Sequence, residues 1–95
     1  MAKKAKTRKE QYREILSTYG KNLDDCDIMA FRFADEYRPD IFHFELMNPL
    51  RPVYHLFDAT GNVAIVIVPK DAENARKMAL LAESCGGEKT TPNLW

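Results

Sequence analysis

The stretch from Pro52 to Pro69, PVYHLFDATGNVAIVIVP, constrains the fold more than any other part of the chain. Two β-rich runs flank the segment Asp58-Ala-Thr-Gly-Asn62, whose Gly and Asn supply turn chemistry. A helical pattern follows at once. Asp71 with Asn74 opens it, Ala75, Met78, Ala79, Ala82 and Cys85 share one face, and Gly86-Gly87 ends it. A face so rich in alanine can approach a sheet closely, so strand, turn, strand and helix together predict an α+β domain.

The N-terminal half holds one clear element and one ambiguous one. Met1 to Lys6 reads as a flexible basic arm, and Thr7 stands three residues before Glu10, a capping-box spacing. Tyr12, Ile15, Leu16 and Tyr19 then recur at helical intervals up to Gly20. Asn22 followed by Asp24, Asp25 and Asp27 reads as a capped helix start, with acids near the positive end of the dipole. Cys26, Met29, Ala30, Phe33 and Tyr37 would share its face, and Pro39 disfavours a helical Arg38. Met29, Phe31 and Phe33 also alternate as a strand does. The acidic start and the length favour helix over 22–37, with a fourth strand as the alternative.

Ile41 to Met47 (IFHFELM) has strand composition, with Phe42, Phe44 and Leu46 on one side and Ile41, His43, Glu45 and Met47 on the other. Asn48 to Pro52 reads as a turn, Val53 to Phe57 as the next strand, and Val63 to Val68 as a strand apolar on both faces. The expected order is α-α-β-β-β-α: an antiparallel three-stranded, possibly four-stranded, meander packed against N- and C-terminal helices. The domain spans 7–87, between the arm at 1–6 and a polar tail at 88–95 that ends on Leu94 and Trp95. Tyr54 and Leu56 would join Phe42, Phe44 and Leu46 under the helices. A symmetric 48–52 turn pairs Glu45 with His55 and His43 with Phe57. The second sheet face then carries Ile41, Met47, Val53, Phe57, Ile65 and Ile67, which is too apolar for water. Either a helix or another chain must cover it.

The net charge of zero hides a division. Residues 1–21 hold seven basic groups against two acids; residues 22–58 hold three against eight. A basic end on an acidic body suits an arm that touches nucleic acid or attraction between copies. Cys26 and Cys85 match no zinc or redox spacing. Without an apolar secretory stretch, they read as free thiols of a cytoplasmic protein. Neither a metal site nor a cofactor is expected.

His43, Glu45 and His55 would converge on one sheet face, where two imidazoles and a carboxylate are a conceivable acid–base set for a small ribonuclease-like enzyme. The more ordinary reading is a cross-strand ion pair beside a half-buried histidine. Lys3, Lys4, Lys6, Arg8 and Lys9, with Arg51, could contact phosphates, and Lys70, Arg76 and Lys77 could add to them. A helix-turn-helix across Gly20 is excluded, because Asp24, Asp25 and Asp27 would enter the groove first and repel the backbone. Leu94 and Trp95 could form a docking motif or fold back onto the domain.

The expected α-β-β-β-α portion is similar in order to double-stranded RNA-binding domains, which need a lysine-rich start to the last helix. Here Lys70 to Lys77 is interrupted by Asp71 and Glu73. The α-α-β-β-β order looks like bacterial mRNA-interferase toxins, whose paired strands Arg51 to Phe57 and Val63 to Val68 resemble. Those toxins carry several basic residues on the sheet and begin with a strand. This chain offers Arg51, His43 and His55 and begins with a helix. No specific motif supports either likeness, and no family is assigned.

The leading expectation is a non-enzymatic protein-binding module (a regulator, inhibitor or adaptor) that binds another protein or a second copy of itself as a homodimer. The face of Ile41, Met47, Val53, Phe57, Ile65 and Ile67 would bind, with the acidic 22–37 helix at its rim. RNA binding through the basic arm is the alternative, and the enzyme the third reading.

Overall fold

A computed structural model describes residues 6–92 and Leu94. Three helices and four strands form an α+β domain in the order α1 (Arg8–Thr18), β1 (Cys26–Arg32), α2 (Arg38–Leu46), β2 (Leu56–Thr60), β3 (Val63–Pro69), α3 (Ala72–Ser84) and β4 (Glu88–Thr90). The sheet runs β2-β3-β1-β4 and every neighbouring pair is antiparallel. Helix α1 packs on one face, and α2 and α3 cover the other. The three layers follow from the pleat: alternate residues of β1 and β3 enter two separate cores. Met29, Phe31, Ala64, Val66 and Val68 meet Phe42, Leu46, Met78, Leu81 and Ala82 on one side. Ala30, Ile65 and Ile67 meet Tyr12 and Leu16 on the other.

Helices α1 and α3 form where the sequence places them. The hairpin forms with its first strand moved along the chain, Leu56–Thr60 in place of Val53 to Phe57, because Asp58, Ala59 and Thr60 pair in the sheet instead of turning. Thr7 caps α1 by accepting from the Glu10 N–H at 3.2 Å. Gly61, at φ 60°, turns β2 into β3 in a register that pairs Leu56 with Ile67 and Thr60 with Val63. Asp71 caps α3 through the N–H groups of Glu73 and Asn74.

The middle of the chain reverses the expectation twice. Asn22 does cap a helical turn, but only the single 3-10 turn Leu23–Asp25, and Cys26–Arg32 then extends as a strand. Its edges are paired because β1 lies between β3 and β4, and its faces are covered by α1 on one side and by α2 and α3 on the other, so the alternation of Met29, Phe31 and Phe33 is the controlling signal. The expected helical face fails at Tyr37, which is exposed.

Ile41 to Leu46 is helical, not a strand. Pro39 starts α2 rather than stopping an earlier helix: its fixed φ suits the first turn, where no N–H bond is lost. Asp35 accepts from the N–H groups of Tyr37 and Arg38 at 2.9 and 3.0 Å, performing the capping that Tyr37 cannot. Phe42 and Leu46, four residues apart, enter the core, whereas Phe44 turns outward. The 48–52 segment therefore joins a helix to a strand, and no hairpin pairs Glu45 with His55. Neither the α-β-β-β-α order nor the α-α-β-β-β order survives.

The tail is also partly built into the sheet. Glu88–Thr90 forms β4 against Ala30–Arg32, and Leu94 packs with the α1-side core while its carbonyl accepts from the Lys9 N–H at 3.2 Å. The Leu94 side chain thus folds back onto the domain; Trp95 lies outside the described residues, as do Lys3 and Lys4 of the expected arm. No helix among the described residues is long and apolar enough to cross a membrane.

Candidate functional site

The expected interface residues divide among three environments. Ile65 and Ile67 are buried beneath α1, which is the helix covering that sheet face. They cannot be presented to a partner by the folded monomer. Phe57 points to the opposite side and packs beside the α2–α3 core. Ile41, Met47 and Val53 remain exposed, but on α2 and the segment after it rather than on a sheet.

A different apolar surface gathers around those three. Ile41 is 53 % exposed, Phe44 73 %, Met47 63 %, Leu50 92 % and Val53 58 %, with Leu80 of α3 at 52 %. Ile41, Phe44 and Met47 succeed one another at intervals of three, so they line one side of α2 and its C-cap. Met47 and Val53 then wall a groove of about 230 Å³ with Pro49, Arg51 and Pro52. Arg51 and Pro52 also belong to a neighbouring groove of about 410 Å³, completed by Leu50, Lys77, Leu80, Leu81 and Ser84. Helix α2 is thus apolar on its inner face, through Phe42 and Leu46, and on its outer face. A helix of that kind is ordinarily buried on both sides.

Local contacts hold this surface in shape. The Asn74 amide accepts from the Val53 N–H at 2.9 Å and donates to the Val53 carbonyl at 2.8 Å, fastening the 47–55 segment to α3. Arg51 pairs with Glu45 at 2.8 Å, which spans the base of the same segment. The Asn48 carboxamide accepts from the Leu50 N–H at 3.0 Å and closes the turn.

The proposed acid–base residues do not form a set. His43 stacks on Phe57 with ring centroids 4.2 Å apart and an interplanar angle of 4°. The two residues do meet, but as a helix side chain on a strand rather than as a cross-strand pair. Tyr54 approaches His43 Nε2 at 3.5 Å. Glu45 is occupied by Arg51, while His55 lies just before β2, its N–H donating to the Ile67 carbonyl at 2.7 Å. Burial and then the Lys21 charge push the His55 pKa down. Among the described residues no group of three His, Cys, Asp or Glu could hold a metal ion.

The basic residues are likewise dispersed. Lys6 is bound to Glu14 at 2.6 Å, and Arg51 sits on the α2 side of the molecule rather than with the arm. Lys77 and Arg76 both reach Glu73. Arg13 holds Asp24 at 3.2 Å and thereby keeps its carboxyl below the ordinary range. Cys26 and Cys85 are free thiols; burial, then Asp25 and Asp27, pushes the Cys26 pKa up and disfavours the reactive thiolate.

No protein-family model matches the chain, and no curated protein or solved structure is similar enough to count as a match. The surface that sequence reasoning missed was hidden by the strand assignment of Ile41 to Met47. The signal that could have found it is helical: with Pro39 at the start, Phe42 and Leu46 face inward and Ile41, Phe44 and Met47 face outward.

Proposed function

We propose that this chain is a protein-binding module whose interface is the outer side of α2 with the 47–53 segment and Leu80 of α3. The observation that carries this reading is the succession of Ile41, Phe44, Met47, Leu50 and Val53, all more than half exposed along one helix and the loop that leaves it. Exposed apolar area concentrated in this way, edged by polar groups such as Arg51 and Lys77, marks interaction surfaces in folded domains. Phe44 is the natural anchor, a large rigid side chain whose burial in a partner would remove much apolar area from water. A regulator, inhibitor or adaptor would act by occupying a partner through this surface, with no chemistry of its own.

A second copy of the chain is the partner to test first, since an isologous dimer would cover each α2 with its twin. The expected result is a dimer by light scattering whose mass resists high salt, because the contacts are apolar. Phe44→Asp should convert it to a monomer with unchanged far-ultraviolet circular dichroism. A dimer that persists in Phe44→Asp, or a wild-type monomer at every concentration, would overturn self-association through this surface.

A further inference from the structure

We infer that the cleft at the N-terminal end of α1 is a binding site for a phosphate group, carried by a small molecule or free in solution. This inference does not depend on the protein-binding reading, because α1 and α2 lie on opposite faces of the sheet. The cleft has a volume of about 240 Å³ and is lined by Arg8, Arg32, Thr60, Val63, Ile65, Thr90 and Thr91.

The topology explains the convergence. Pairing across the sheet aligns Thr60 with Val63, Val63 with Arg32 and Arg32 with Glu88, one residue from each strand on the α1 side. The adjacent row on the same face is Asp58, Ile65, Ala30 and Thr90. Helix α1 covers that second row through Tyr12 and leaves the first row open beyond its N-terminus, where Arg8 projects. Val63 and Ile65 form an apolar floor, and Arg8, Arg32 and three threonines surround it.

The charge and donor count select the ligand. Among the described residues neither Arg8 nor Arg32 forms an ion pair, whereas the other four arginines, Arg13, Arg38, Arg51 and Arg76, all do. Asp58 in the neighbouring row is engaged by the Tyr12 hydroxyl at 2.7 Å. Glu88 stands across from Arg32 in the sheet, but its carboxylate makes no ion pair with it. Two guanidinium forks and three hydroxyls offer more donors than the two oxygens of a carboxylate can accept. The three terminal oxygens of a phosphate monoester match them better. At roughly 30 Å³ per water molecule, the cleft has room for a phosphate and part of the group that bears it.

The test titrates the full chain with inorganic phosphate and separately with glycerol phosphate, following backbone and arginine side-chain signals by nuclear magnetic resonance at constant ionic strength. Saturable shifts at Thr60, Thr90, Thr91, Arg8 and Arg32 are expected. Saturation by inorganic phosphate alone would identify free phosphate as the ligand, and tighter binding of glycerol phosphate a phosphate-bearing small molecule. Arg32→Ala and Arg8→Ala should each weaken binding about tenfold, as loss of a charge-assisted pair does. Glu88→Gln should strengthen binding by removing a carboxylate that repels the ligand. Thermal melts establish that each variant is folded, and Arg32→Lys, which keeps the charge but not the fork, should bind with intermediate affinity. Equal shifts with chloride or acetate, no saturation, or full affinity in a folded Arg32→Ala would overturn the assignment.

Discussion

The Tyr12 hydroxyl donates to Asp58 Oδ2 at 2.7 Å, joining the middle of α1 to the edge strand β2 across 46 residues of sequence. Tyr12 is otherwise enclosed by the α1-side core with Ile65 and Leu16, so the bond supplies the one polar group of that side chain with a partner. Tyr12→Phe should cost about 1–2 kcal/mol, because the half-buried Asp58 carboxylate loses its donor. Asp58→Ala should cost a similar amount, and a double-mutant cycle by urea denaturation should show coupling of about 1 kcal/mol between the two. Strictly additive losses would show that α1 is held by apolar packing alone.

The same pair gives the fold an alkaline limit. Burial first, then the hydrogen bond and charge of Asp58, pushes the Tyr12 pKa well above its ordinary value. A pKa raised in the folded state stabilises it fully below the unfolded value, about 10, and that stabilisation drains away as pH rises beyond it. The melting temperature should therefore fall above about pH 10, and Tyr12→Phe should flatten that decline. Identical alkaline slopes in the two proteins would assign the decline to other groups.

An acid limit comes from His55. Its folded-state pKa is depressed from 6.5 by burial, with a further push from Lys21. The folded state binds this proton less readily than the unfolded chain, so the contribution is intact above pH 6.5 and is lost as pH falls through the lower, folded value. His55→Asn should reduce the slope of stability against pH in this window. A slope unchanged by the substitution would show that His55 is as open to protonation in the folded protein as in the unfolded one.

Legibility in the sequence followed the strength of local punctuation. The hairpin around Gly61 and helices α1 and α3 were readable because a turn glycine, Thr7 and Asp71 mark their ends on one side and a clear period fills them. Residues 22–47 are ambiguous because two signals are each compatible with opposite structures. Asn22 and its acids cap a turn of any length, and only the demand for a central strand, set by distant β3, ends that turn at Asp25. Pro39 marks a helix boundary without saying which side is helical. A strand over Ile41 to Met47 puts Phe44 inside and Ile65 and Ile67 outside, whereas the helix reverses both. Ile41, Met47 and Val53, expected on an open sheet face, are exposed, but on a helix and the loop after it. The cleft near Arg8 could not be read at all, since β4 and the β1–β3 register create it.

Gly87, between α3 and β4, lies tight against Phe33 and the Ala82 carbonyl. A Cβ there would lie 2.8 Å from two ring carbons of Phe33 and 3.0 Å from the Ala82 carbonyl oxygen, and Phe33 is buried. Gly87→Ala should destabilise the domain by about 1–3 kcal/mol, the usual range for overpacking a filled core. Because Gly87 leads directly into β4, hydrogen exchange should accelerate most at Ala30–Arg32 and Glu88–Thr90. A uniform acceleration across the whole sheet would show that β4 is not a separate, weaker unit.

Asn74 decides whether the 47–53 surface keeps its shape. Its carboxamide satisfies both the N–H and the carbonyl of Val53, so one side chain replaces the strand pairing that this stretch of backbone lacks. Asn74→Ala removes both bonds at once; with the backbone groups partly open to water, the expected cost is about 1 kcal/mol rather than the larger penalty of a buried loss. The effect on assembly should be greater than the effect on stability, since Met47, Leu50 and Val53 would lose their fixed relation to Leu80. Under the proposed self-association, sedimentation should show it weakened about tenfold, the equivalent of some 1.4 kcal/mol of ordering supplied on binding. Asn74→Asp is the sharper comparison, because a carboxylate can still accept from the Val53 N–H but cannot donate to its carbonyl. Assembly intermediate between wild type and Asn74→Ala is therefore expected. Asn74→Ala that assembles like wild type would show that the segment is held by Arg51 and its own turn, and that Asn74 has no part in presenting the surface.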